Sequence, residues 1–165
     1  VVPHGVLFRS GAEGRIRENI CKEDIVEAVI GLPAQLFYGT GIPAAILVIN
    51  KNKPQERRGS ILFIDGSLDY LEGKKQNKLR PEDIEKIVGA YNGYQDLPKY
   101  CRVVSLSEIE ENDYNLNISR YVDTAPEEEH IDVAEALREL KALEARRREI
   151  EAQMDGYLRE LGYGA

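Results

Sequence analysis

The chain has 165 residues, with 22 basic and 29 acidic side chains, a formal net charge of −7 and 42% hydrophobic residues. That apolar share supplies a folded core and excludes a wholly disordered chain, while the acidic balance excludes a free-standing, non-specific nucleic-acid binder. The longest apolar run, Ile42 to Ile49, is too short to cross a bilayer, and Cys21 and Cys101 form neither a disulfide framework nor a metal-ligand cluster, so a reducing cytoplasm fits and no metal is expected.

Val1-Val2-Pro3 has the character of a strand tail already under way, and the sole methionine is Met154, so the chain is expected to be a piece of a longer protein. Glu13 to Glu23 has helical spacing, with Ile16 and Ile20 on one face. Ile25 to Ile30 is a β-branched apolar strand that Gly31-Leu32-Pro33 ends. Ala44 to Ile49 is a second strand, and Ile61 to Ile64 a third, ended by Asp65-Gly66. Arg80-Pro81-Glu82-Asp83 opens a helix with proline in its first turn, and Ile84, Ile87, Val88 and Tyr91 make its apolar stripe. Cys101 to Val104 is a short strand, after which Ser105 or Ser107 caps a turn. Strands alternating with helices over 1–125 predict an α/β domain.

Residues 126–165 differ, carrying 6 basic and 11 acidic groups, whereas residues 1–60 carry 8 and 6. They are expected to form a linker and a long interaction helix. Asp132 and Glu135 have capping-box spacing, with Ile131 as a hydrophobic staple. A seam then runs through Val133, Ala136, Leu140, Leu143, Arg147, Ile150, Met154, Tyr157 and Leu161. Its spacings alternate three and four over about four heptads, the pattern of a helix that seeks partner helices. The bland alternative is a helix folded back on its own domain.

Candidate chemistry is sparse. Gly39-Thr40-Gly41-Ile42-Pro43-Ala44 matches a dinucleotide-binding string, but a β-branched run follows instead of the helix that would meet a phosphate. A tight loop that brings Phe37 and Tyr38 to the rim of a sheet fits better, and adjacent aromatics there could stack on a planar base. Arg9, Arg15 and Arg17 are candidate phosphate contacts, and Lys51, Lys53, Arg57 and Arg58 form one basic loop and Lys74, Lys75, Lys78 and Arg80 a second, both candidate nucleic-acid backbone contacts with solvated surface as the alternative. His4 follows a strand that points toward a cleft. The sequence holds no Ser/His/Asp arrangement, no HExxH and no Walker loop.

Several runs, taken in order, resemble one family. They are Val1-Val2-Pro3-His4-Gly5-Val6-Leu7-Phe8-Arg9, Glu13-Gly14-Arg15-Ile16-Arg17, and Leu32-Pro33-Ala34-Gln35-Leu36-Phe37-Tyr38-Gly39-Thr40-Gly41-Ile42-Pro43-Ala44. Leu62-Phe63-Ile64-Asp65, Gln76-Asn77-Lys78-Leu79-Arg80, and Asn112-Asp113-Tyr114-Asn115-Leu116-Asn117-Ile118 with Arg120-Tyr121-Val122 continue the match. The family is the modification (M) subunit of type I restriction–modification systems, an adenine-specific DNA methyltransferase. Ser10 stands where a second glycine is expected.

The resemblance implies the C-terminal part of a Rossmann-like fold that binds S-adenosylmethionine, followed by the heptad-patterned helix. On that map Val1-Val2 ends the fifth strand, Ile25 to Ile30 is the sixth, and Ala44 to Ile49 is the antiparallel seventh. The donor-binding glycine motif and the Asn-Pro-Pro-aromatic tetrapeptide belong upstream. Consistently, none of the seven prolines adjoins another or follows an asparagine. No catalytic residue is therefore expected within the chain, which should be inactive alone. Phe37 matches the aromatic that stacks on the extruded adenine, with Tyr38 as its neighbour and fallback. The implied partners are DNA and the specificity (S) and restriction (R) subunits, with Leu140, Leu143, Ile150, Met154, Tyr157 and Leu161 forming the docking face. The isolated chain is expected to self-associate through this stripe and the bare side of its first strand. Two alternatives stay open: a non-catalytic assembly module, and a same-fold methyltransferase acting on RNA or protein.

Overall fold

A computed structural model describes residues 1–124 and 133–163, with side chains left out at 133–136. In chain order its elements are β1 (Val2–Pro3), α1 (Ala12–Lys22), β2 (Val26–Gly31), β3 (Ala44–Ile49), β4 (Ser60–Asp65), α2 (Pro81–Gly93), β5 (Cys101–Ser105), α3 (Leu106–Glu111) and α4 (Val133–Glu160). The chain divides into two compact units, Val1–Ala125 and Pro126–Ala165.

The first unit is built around β2, buried at all six positions. A strand buried on both faces needs an unbroken apolar run, and Val26 to Ile30 supplies it but for one residue, Glu27. The sheet order is β1-β3-β2-β4-β5. β3 lies antiparallel between β1 and β2, with Val2 opposite Ala45 and Ile30 opposite Ile46, as the resemblance implied. β4 is parallel to β2, and β5 is antiparallel to β4, a second reversed strand that the sequence did not announce.

Alternation sorts the side chains into two layers. Val29, Ile61 and Phe63 pack with Leu7, Cys21, Val104, Ile109, Leu116 and Tyr121 on one face of the sheet. Ala28, Ile30, Leu62 and Ile64 pack with Ile87, Ala90 and Tyr100 on the other. Val26 shares a face with Val29 despite the odd spacing because the ladder shifts between Val26 and Ala28. That irregularity falls at Glu27.

The helices depart from the expected stripes. On α2, Asp83, Ile87 and Ala90 are buried, while Ile84 and Val88 are about half exposed, at 47% and 48%. The helix meets the sheet along a single narrow line, so apolar residues one step off that line stay wet. On α1, Ile16 is exposed and Arg17 is buried, reversing the expected polarity of that face. Ser105, not Ser107, caps α3: its hydroxyl accepts from Glu108 N–H at 3.2 Å. Glu108 also holds the Arg102 guanidinium through two bonds of 2.9 Å.

In the second unit, α4 spans 28 residues, about 42 Å at 1.5 Å per residue. The expected capping box at Asp132 and staple at Ile131 lie outside the described residues. Leu140, Leu143, Ile150, Met154, Tyr157 and Leu161 are exposed. Arg147, the polar member of the seam, pairs with Glu151 one turn on at 3.4 Å. Leu161 falls just past the helix, at its cap. Gly162 follows at φ +79°, and the bonds Tyr163 N–H to Leu158 and Gly162 N–H to Arg159 close a Schellman motif. Among the described residues no helix is long and apolar enough to cross a membrane.

Candidate nucleic-acid interface

β2 and β4 run in parallel, so their carboxyl ends open onto the same edge of the sheet, where ligands of such sheets bind. The loop between β2 and β3 crosses this edge. Gln35 takes a left-handed φ of +55° and Gly39 one of +76°, which turn the chain outward. Thr40 Oγ1 accepts from Ile42 N–H at 3.1 Å and closes the return. Phe37 is 42% exposed and Tyr38 is 91% exposed. Phe37 lines an open apolar hollow of about 260 Å³ with Val1, Val2, Pro3, Ile42 and Pro43. Tyr38, named from the sequence as the fallback to Phe37, does not line it.

The loop is held from a distant segment. Asn77 donates to Ala34 O through Nδ2 at 2.9 Å and to Gln35 O through its backbone N–H at 2.9 Å. Gln76 Nε2 donates to Leu36 O at 2.6 Å. No residue-type signal marked Gln76 and Asn77 for this task. They stood out only as part of a matching run.

A smaller, more polar hollow of about 140 Å³ opens beside the same strand ends, lined by His4, Asp65, Ser67, Asn117 and Ser119. Burial lowers the His4 pKa and favours the neutral ring, against the opposing pull of Asp65. Asn117 Oδ1 is buried there without a hydrogen-bond partner among the described residues. The expectation that His4 faces a cleft is met in this hollow.

Of the expected basic residues, the second basic loop comes close: Lys74, Lys75 and Lys78 are exposed in the segment that holds the Phe37 loop, whereas Arg17 and Lys53 are buried elsewhere. Arg17 is 6% exposed, and its guanidinium donates to Tyr114 O at 2.6 Å, Val6 O at 2.9 Å and Arg9 O at 3.0 Å. Desolvation lowers its pKa, and its charge is spent on three loop carbonyls. Lys53 is 4% exposed and donates to Asp24 at 2.5 Å, Ser60 O at 2.7 Å and Val26 O at 3.1 Å. The β3–β4 connection must cross the start of β2, and Lys53 satisfies the carbonyls that this crossing buries. Neither Arg17 nor Lys53 is available to a phosphate, which corrects both assignments. Arg15 and Lys51 are exposed. Lys51, however, follows the far end of β3, about 20 Å along the strand from the Phe37 loop.

Glu27 lies at that far end, 2% exposed. Its carboxylate accepts from Asn50 and Arg57 at 2.9 Å each and from Tyr91 at 3.1 Å. Burial pushes the Glu27 carboxyl up, but these hydrogen bonds outweigh it and leave it below the usual carboxylate range. Arg57 also lies over the Tyr94 ring at 4.5 Å. Among the described residues no group of three His, Cys, Asp or Glu could hold a metal.

The string Gly39–Ala44 runs into β3, a strand, and so presents no helix N-terminus to a cofactor. These residues do not fit the donor-binding motif of a methyltransferase.

The family model for N-6 DNA methylases matches residues 1–130. The chain belongs to the N-6 DNA methylase family. Within it, the chain is related to type I restriction–modification methylase subunits. It is 45% identical over 98% of its length to the MjaVIII methylase subunit of Methanocaldococcus jannaschii, covering 28% of that protein. It is 37% identical over 92% of its length to the HindI methylase subunit of Haemophilus influenzae, covering 36% of that protein. The chain thus spans about a third or less of these N-6 DNA methylase relatives. A solved type I methyltransferase subunit from Streptococcus thermophilus is 46% identical, with a TM-score of 0.68, over 73% of this chain and 25% of that one. The solved EcoKI M protein shares the fold at 20% identity and a TM-score of 0.55, over 90% of this chain and 40% of that one.

Proposed function

We propose that the chain is the C-terminal part of a type I modification subunit that transfers a methyl group to the exocyclic amine of adenine in DNA. S-adenosylmethionine supplies the methyl group, and its motif lies upstream with the residues that hold the adenine amine. The chain supplies the target-base side of the pocket. One observation carries this reading: Phe37 stands exposed over an apolar hollow at the carboxyl edge of the sheet. An aromatic face there holds an extruded base flat without spending base-specific hydrogen bonds. In-line transfer needs donor and acceptor held together, so the chain alone is inactive.

The test is methyl transfer by the full-length subunit carrying Phe37→Ala. Lost transfer with intact assembly supports the platform, and unchanged transfer rejects it. Calorimetry with S-adenosylmethionine tests the upstream donor site. Binding only to the full-length subunit supports it, and tight binding to this chain rejects it.

A second role rests on a separate observation, the exposed stripe Leu140, Leu143, Ile150, Met154, Tyr157 and Leu161. This is the docking face for the specificity subunit, in complexes that also recruit the restriction subunit and DNA. It is also the face through which the isolated chain self-associates. Deleting residues 131–165 should abolish binding to the specificity subunit, and unimpaired binding would reject the docking role.

A further inference from the structure

We propose that the segment Leu71–Lys78 is a clamp that sets the position of Phe37, with Gln76 and Asn77 as positioning residues. The proposal rests on the base-platform reading of Phe37.

Three consecutive carbonyls, those of Ala34, Gln35 and Leu36, each accept a donor from two consecutive residues about forty positions later. The bonds join the exposed residues Ala34 and Gln35 and the half-buried Leu36 to the later segment. Their effect is to fix the path of the backbone up to the residue before Phe37. Beyond that point the Thr40–Ile42 bond closes the turn within the loop itself. The ring inherits its place from the clamped side.

Gln35 supplies a second reason. Its φ of +55° is left-handed, a conformation that costs a non-glycine residue free energy and persists only where neighbours hold it. The residues on either side of it and Gln35 itself are the ones clamped. Releasing the clamp lets Gln35 relax toward negative φ and swings Phe37 off the hollow.

The clamp is itself closed. Leu71 and Lys78 exchange backbone bonds of 2.8 and 3.0 Å. Asn77 Oδ1 accepts from Gly73 N–H at 3.3 Å, while Nδ2 of the same amide reaches Ala34. Asn77 thus uses both ends of its amide and is 7% exposed. A Cβ at position 73 would collide with the Gln76 carbonyl, so only glycine lets the segment fold this tightly.

The experiment uses the full-length subunit assembled with its specificity subunit, in Gln76→Ala, Asn77→Asp and Phe37→Ala forms and the double variant Gln76→Ala/Phe37→Ala. Hydrogen exchange at residues 36–41 and methyl-transfer kcat and KM are measured. Asn77→Asp keeps the acceptor for Gly73 but sets an oxygen against Ala34 O, so it is the stronger release of the clamp, and Gln76→Ala, which only deletes a donor, is the milder one. The expected result is faster exchange at 36–41 in both clamp variants, with kcat lowered about tenfold, the value of one hydrogen bond, and KM for DNA little changed. In the Phe37→Ala background Gln76→Ala should have no further effect on kcat. Unchanged exchange overturns the clamp, whatever Phe37 does. Faster exchange with unaltered kcat, while Phe37→Ala is impaired, overturns the positioning role and leaves the platform standing. An equal further loss in the double variant overturns it too, because a structural defect is indifferent to the ring. Full activity of Phe37→Ala removes the platform and the positioning role together.

Discussion

The two ends of the central sheet use polar chemistry in opposite ways. At the amino end of β2, Lys53, Asp24, Glu27, Asn50, Arg57 and Tyr91 find partners in one another and in the backbone. At the carboxyl end, Phe37 and Tyr38 are exposed, and Asn117 Oδ1 is buried without a partner. Of the two basic loops in the sequence, the one with Lys51 and Lys53 lies at the amino end, and the one with Lys74, Lys75 and Lys78 lies beside the Phe37 loop. Where a connection crosses a strand terminus, buried carbonyls demand donors, and lysine or arginine supplies them.

The largest expected effects come from removing the two buried cations, Lys53 and Arg17. Arg17→Ala orphans three carbonyls, and Lys53→Ala removes the donor to Asp24 and Val26 O while Tyr94 still donates to Ser60 O; each should destabilise the chain by about 3 kcal/mol, measured by chemical denaturation. Lys53→Ala should leave DNA affinity unchanged once folding is accounted for. A selective loss of DNA affinity with intact stability would return Lys53 to the binding surface.

Phe37→Ala sharpens the comparison from the other end. It should change stability by less than about 0.5 kcal/mol, because the ring is half exposed. Methyl transfer by the full-length subunit should fall about tenfold or more, the value of one base–aromatic stack. A large loss of stability with little loss of transfer would make Phe37 a packing residue.

Acid should act on the satisfied end first. The Glu27 carboxyl titrates below its ordinary value of about 4.3 in the folded chain. The unfolded chain therefore takes up the proton first as pH falls. The stabilisation is complete above the ordinary value and is lost as pH drops through the lower folded one. Denaturation midpoints between pH 6 and pH 3 should fall with a component that Glu27→Gln lacks. The same slope in both forms would show that Glu27 does not contribute. The smallest effect belongs to Lys51→Ala, exposed and distant from the loop, where stability should hold within about 0.5 kcal/mol.

Periodicity and composition determined much of this molecule without help. Five strands, two of the helices in the first unit and the long terminal helix follow from apolar spacing, proline position and turn residues, because these act within a few residues of chain. The ordered runs from Val1 to Val122 also carried the family. The antiparallel pairing of β5, the narrow contact line of α2 and the short helix α3 were not legible, since each depends on which neighbour the sheet places opposite. The candidate site divided the same way. Phe37 and Tyr38 were visible as adjacent aromatics before a glycine turn, but only the fold put Phe37 alone on the hollow. Arg15, Arg17, Lys51 and Lys53 were indistinguishable as charges in a string. Tertiary structure buried two of them, because solvation and hydrogen-bond demand are set by chain crossings that join residues far apart in sequence. Gln76 and Asn77 meet the Phe37 loop for the same reason: two segments forty residues apart become neighbours only when β2 and β4 lie side by side.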